Sequence, residues 1–196
     1  MKEIMIATAN AHKIKEFKEM LEPLGYQVKS CLDLEAVIEV EETGTTFSEN
    51  ALIKARAYQR ILKMDVISDD SGLCVDAMDG GPGVYSARFM GHDTDYALKN
   101  AAIIKNVEGK SRKAHYACVI GYVSKDGEER TFEGILNGEI AYQAEGENGF
   151  GYDPIFYYPP YGMTLAKADE GMKNAVSHRA IALKKLLEFL EGRNEI

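Results

Sequence analysis

Residues 1–30, MKEIMIATANAHKIKEFKEMLEPLGYQVKS, decide the layer architecture of this chain. Ile4, Met5 and Ile6 form a short apolar run that reads as a buried strand over residues 3–7. Asn10 then stands ready to cap a helix whose Ile14, Phe17, Leu21 and Leu24 make an i, i+3, i+7, i+10 stripe ending near Gly25. Residues 26–30 supply a second strand. Further on, residues 46–49 (Thr-Phe-Ser-Glu) have the form of a capping box, in which hydroxyl and carboxylate each satisfy the other's backbone N–H. The helix it opens carries Phe47, Ala51, Ala55, Tyr58 and Leu62 on one face. Residues 65–68 follow as a short strand ending in Asp69 and Asp70. The order β-α-β-α-β predicts an α/β layer fold.

The second half changes character. Residues 80–83 (Gly-Gly-Pro-Gly) read as a turn, and residues 93–107 as a helix ending at Gly109. Residues 116–123 and 130–136, joined through Lys125-Asp-Gly127, predict a β-hairpin. A further strand is expected over residues 138–144 and a short apolar one over 155–158. Ser177 is placed to cap a final helix with Leu183, Leu186, Leu187 and Leu190 toward the core. Because a hairpin requires antiparallel pairing, the sheet should be mixed.

Composition narrows the class. The 196 residues, 45% hydrophobic and 28% charged, suit one soluble globular domain spanning residues 1–196. A net charge of -8 disfavours a nucleic-acid binder that works through a broad basic surface. Cys31, Cys74 and Cys118 are odd in number and far apart, which indicates neither disulfides nor zinc. With no run approaching ~18 apolar residues and no cleavage site near the start, no membrane partner is expected and a cytoplasmic location is the default.

Four polar motifs sit where apolar segments end or helices begin: Thr8-Ala-Asn-Ala-His-Lys13, Asp69-Asp-Ser-Gly72, Phe150-Gly-Tyr-Asp-Pro154 and Ser177-His-Arg179. In the first, a strand delivers a loop to a helix start, where N–H groups and the helix dipole favour anions. Lys13 there opposes the dipole, which makes sense for gripping phosphate; the plain alternative is an Asn-capped helix with a solvated lysine. Asp69 and Asp70 should point to opposite faces, one toward a site and one capping a turn at Ser71-Gly72. Glu41 and Glu42 offer a second acidic pair, and Mg²⁺ needs only one or two carboxylates beside waters and phosphate oxygens. The Phe150 motif combines aromatic faces with a carboxylate, either a base-stacking platform or a loop covering the core. His178 and Arg179, just after Lys173, place cations at a helix start, which suits an anionic or carbonyl-bearing ligand or a solvated face. Arg88, beyond the Gly-Pro turn, is a candidate substrate or interface contact.

Together these motifs, with Glu41 to Ala51 and Gly80 or Gly81 to Arg88, resemble the inosine triphosphate pyrophosphatase family over nearly the whole chain. The resemblance implies a dimeric α/β protein with an elongated mixed sheet flanked by helices, and two lobes with an active-site cleft between them. It implies Mg²⁺-dependent cleavage of ITP, dITP and XTP to the monophosphate and pyrophosphate, which clears the nucleotide pool. By motif, Asp70 is the proton acceptor and a metal ligand, and Glu42, or else Glu41, is the second acidic metal group. Thr8, Ala9, Asn10, Ala11, His12 and Lys13 hold the triphosphate, with Ser71 also touching substrate. Phe150, Gly151, Tyr152 and Asp153 stack on and orient the purine, and Lys173, His178 and Arg179 complete the pocket. Ala9 stands where members of that family often carry glycine or another residue.

Overall fold

The computed structural model describes residues 2–35 and 38–192. Strand β1 (Lys2–Ile6) pairs in parallel with β2 (Tyr26–Ser30) and with β3 (Val66–Val75). β4 (Lys113–Val123) and β5 (Glu129–Ile140) follow, and β5, β6 (Phe156–Tyr158) and β7 (Met163–Thr164) pair antiparallel. The seven strands lie in the order β2-β1-β3-β4-β5-β6-β7, a mixed sheet as the hairpin required. The helices are α1 (Ala11–Leu21), α2 (Phe47–Leu62), α3 (Tyr96–Asn106), α4 (Glu170–Val176) and α5 (His178–Gly192). Among the described residues, no helix is long and apolar enough to cross a membrane.

The chain divides into two compact units. The first comprises residues 1–70, 118–133 and 182–196, and the second residues 71–117 and 134–181. In the first, Ile4, Ile6, Phe17, Leu21, Ile67, Ile120 and Tyr122 pack with Leu183, Leu186 and Leu190 of α5. A second cluster sets Met5, Val66 and Val123 against Ala55 and Tyr58 of α2. Gly121 lets α2 lie directly on β4, since a Cβ there would come within 2.9 Å of the Ala51 carbonyl carbon. In the second unit, Leu73, Val75, Ile103, Tyr116, Tyr152, Ile155 and Phe156 form the core.

Local signals located the helix starts well. Asn10 accepts hydrogen bonds from the N–H groups of His12 and Lys13. Thr46 and Glu49 form the expected reciprocal box, and Ser177 Oγ accepts the Ala180 N–H. The helix expected over residues 93–107 starts later, at Tyr96, because Asp95 supplies the cap by accepting the Ala97 N–H. Two expectations about strands need correction. β3 does not end at the aspartate pair; it continues to Val75, with Ser71 and Gly72 extended inside it, so no turn exists there to be capped. Residues 138–144 form no separate strand, because β5 itself runs to Ile140.

Candidate active site

In the first unit, the paired aspartates of β3 take different partners. Lys13 Nζ lies 2.8 Å from Asp69 Oδ2, and Asn50 Nδ2 donates to Asp70 Oδ2 at 3.1 Å. Lys13, which looked misplaced at a helix start, is therefore held by a buried carboxylate from the neighbouring strand. The loop from Thr8 follows β1, with Thr8 Oγ1 accepting the Asn10 N–H. Ala9, Asn10, Ala11 and His12 are exposed. Of the four N–H groups that a helix start leaves open, Asn10 already occupies two, so Thr8 and Lys13 carry more of any anion binding than backbone alone.

Asn50 does two jobs. It donates to Asp70, and its Oδ1 accepts the Gly44 N–H at 2.8 Å, tying the loop before α2 to the helix start. That loop carries Glu42, which pairs with Lys54 of α2, whereas Glu41 is exposed. Of the two glutamates, the structure thus brings Glu42 toward Asp70. Lys54 was absent from the motif reading, and Asn50, inside the Glu41 to Ala51 motif, was given no role there. Both are polar residues one helical turn apart beside the Ala51–Ala55–Tyr58 stripe, and that position was the available signal. Burial alone pulls the Lys54 pKa down, but the charges of Asp69, Glu42 and Asp70 outweigh it and hold the amine above the ordinary lysine value.

Asp70 is buried, and loss of water pushes its carboxyl up to about 6. The Asn50 hydrogen bond and the Lys54 charge oppose that rise, Glu42 adds to it, and Lys13 opposes it. A carboxylate in this range is ionised at neutral pH yet basic enough to accept a proton from water. Among the described residues no three His, Cys, Asp or Glu side chains gather as a metal cage. Two carboxylates that repel each other, Asp70 and Glu42, are nonetheless the kind of donor set that suits Mg²⁺ completed by water and phosphate oxygens.

In the second unit Phe150 and Lys173 meet around Asp153. Its Oδ2 accepts the Phe150 N–H at 2.9 Å and lies 2.8 Å from Lys173 Nζ, the two side chains being 3% and 8% exposed. Lys173 Nζ also stands 4.6 Å from the centre of the Phe150 ring. Gly149, at φ +72°, permits this turn, because a Cβ would fall 2.1 Å from Asp153 Oδ2. Lys173 sits in the last turn of α4, a helix the sequence reading missed, where a cation suits the dipole. Arg179 is almost completely buried and its Nη2 donates to Ser71 Oγ at 3.3 Å. His178 stacks on Tyr116 with ring centres 4.6 Å apart.

Tyr152 plays a different part from its neighbours. Its ring is buried edge-on against Tyr96, and its hydroxyl donates to the Ser86 carbonyl at 2.6 Å. It therefore holds the loop to the core, while Phe150 and Gly151 face a cavity of about 780 Å³ also lined by Tyr96, Asn100 and Ile104. Ser86, from the Gly-Pro segment, donates to Gly83 and accepts the Leu73 N–H, so that segment braces the end of β3. Arg88 is exposed, with its guanidinium over Tyr85.

The fold is thus a mixed α/β sheet whose inner strand β3 carries the buried Asp69 and Asp70 in the first unit, while the second unit holds a Phe-Gly-Tyr-Asp turn locked by Lys173. The Ham1 family model matches residues 4–189, and the chain belongs to that family. It is 48% identical over 196 residues to the dITP/XTP pyrophosphatase of Bacillus subtilis, covering 98% of each chain. It is 46% identical to that of Bacillus licheniformis, over 97% of this chain and 99% of the relative. The solved Ham1 protein of Staphylococcus aureus superposes with a TM-score of 0.89 at 42% identity, covering 98% of this chain and all of that one. A HAM1 protein from Coxiella burnetii does so with the same TM-score at 37% identity.

Proposed function

We propose that this protein hydrolyses non-canonical purine nucleoside triphosphates (ITP, dITP and XTP) to the monophosphate and pyrophosphate, with Mg²⁺, and so clears them from the nucleotide pool. The observation that carries the reading is Asp70: a buried carboxyl raised to about 6, beside Lys54, Glu42 and Asn50, in a family whose relatives bear the pyrophosphatase name. Asp70 accepts a proton from water as the water oxygen bonds to the α-phosphorus. The bridging α–β P–O bond breaks, and pyrophosphate leaves with its electrons. Glu42 and Asp70 would hold Mg²⁺, which supplies charge neutralisation to the phosphates when bound. Lys13 and Lys54 neutralise further phosphate charge, and Thr8 and Ser71 orient it. Phe150 stacks on the base, while Lys173, His178 and Arg179 donate toward a 6-keto oxygen; adenine's amino group, itself a donor, would be mismatched. A homodimer, which rests on the family resemblance, and a cytoplasmic location, the default for a sequence without a run approaching ~18 apolar residues, belong to the same proposal.

The direct test is steady-state hydrolysis of dITP, XTP, dGTP and dATP with Mg²⁺, with pyrophosphate and orthophosphate measured separately. Fast pyrophosphate release from dITP and XTP alone is the expected result. Orthophosphate as the product would mean that the γ bond is cut, and equal use of all four would remove the specificity. Lys54 has its own signature. Its cation opposes the negative field at Asp70, so Lys54→Met should move the acid limb of kcat/KM upward by roughly one pH unit. A limb that stays in place would separate Lys54 from Asp70.

A further inference from the structure

Tyr116 belongs to none of the four polar motifs, yet it touches two of the residues assigned to the purine. It is buried in β4, its hydroxyl donates to Asp153 Oδ1 at 3.2 Å, and its ring lies between Phe156 and His178. Filling this space needs only a phenyl ring, and a buried phenol is costly unless its hydroxyl is paired. Here the partner is a carboxylate that already accepts from Phe150 and Lys173, both on the other oxygen.

That division between the oxygens matters. The Cβ–carboxylate torsion of aspartate is broad, so bonds to Oδ2 alone leave the plane of the group free to swing. A donor on Oδ1 fixes the plane. The stack does the same for His178: its ring lies at 16° to that of Tyr116, and the Tyr116–Phe156 pair stands at 4.4 Å and 25°. Hydrogen bonds to a flat base are made in the plane of its edge, so the planes of the groups that read it must be set in advance. Burial, then the charge of Asp153, raises the Tyr116 hydroxyl well above its usual pKa, which keeps it a donor throughout the working pH range.

Resting on the function proposed above, we propose that Tyr116 is a positioning residue for base selection, holding Asp153 through its hydroxyl and His178 through its ring. It need not touch substrate.

Tyr116→Phe removes only the hydroxyl and keeps the stack. The expected result is a roughly tenfold rise in KM for dITP, with kcat changed by less than about threefold. Inorganic tripolyphosphate, which has no base, should inhibit the variant as well as it inhibits the parent, and the melting temperature should hold within about 3 °C. An unchanged KM for dITP would overturn the proposal. So would a parallel loss of kcat, tripolyphosphate affinity and melting temperature, since that pattern marks a purely structural tyrosine. Should the parent release no pyrophosphate from dITP, the proposed function fails separately. Calorimetric titration of dIMP into parent and variant then still decides the role of Tyr116, with equal affinities ruling it out.

Discussion

Asp70→Asn should melt about 5 °C higher than the parent in metal-free buffer at pH 8, while pyrophosphate release falls by roughly a thousandfold or more. The two effects share one cause. A carboxyl whose folded pKa, about 6, exceeds its unfolded value binds its proton more tightly in the folded chain. Its ionisation therefore costs nothing below about pH 4, an increasing amount as pH rises toward about 6, and its full penalty above that. A shift of about two units corresponds to roughly 3 kcal/mol at most. An amide at position 70 escapes the penalty and can still accept from Asn50. The gain should vanish at pH 4, where both proteins are neutral at this position. Near-parental turnover in Asp70→Asn would remove it as proton acceptor, and an equal or lower melting point at pH 8 would contradict the burial cost.

Lys173→Met should be the most destabilising of the site variants. It leaves the Asp153 carboxylate buried without its cation, which costs about 3–5 kcal/mol, or on the order of 10 °C in melting temperature. The KM for dITP should rise more than tenfold as well. Adding Asp153→Asn removes the stranded charge, so the double variant should recover most of the stability but none of the base binding. Thermal melts and dITP kinetics on the single and double variants separate the two losses. A single variant that melts like the parent would mean that the ion pair is far better solvated than its burial indicates.

What could be read in advance was local. Asn10, Thr46 with Glu49, and Ser177 act on N–H groups two or three residues away, so their chemistry is visible in a short window. Asp-Asp-Ser-Gly was misread as the end of a strand because acidic residues and glycine usually mark turns. β3 carries them because Lys13 and Asn50 reach its aspartates from other elements, partners that no short window contains. The same reason hid Lys54 and Tyr116. Each looks like an ordinary member of a helix or strand until the fold brings Glu42 to one and Asp153 to the other. Long-range packing alone sets Tyr152 into the core, against Tyr96 and the Ser86 carbonyl.

Among the described residues, the bonds that close the stretch just after Glu42 are short in sequence. Gly44 binds Asn50, and Thr45 and Thr46 bind Glu49, so residues 44–50 close on themselves. This stretch is a self-contained cassette: the helix nucleus and the delivery of the acid are one device, and forming the first turn of α2 positions the loop behind it. Closing so small a ring costs little chain entropy. Asp70 has no such independence, because its partner Asn50 lies 20 residues away. The two carboxylates thus differ in what assembles them, one arriving with the opening turns of α2, where Lys54 meets it, and the other only when sheet and helix have met.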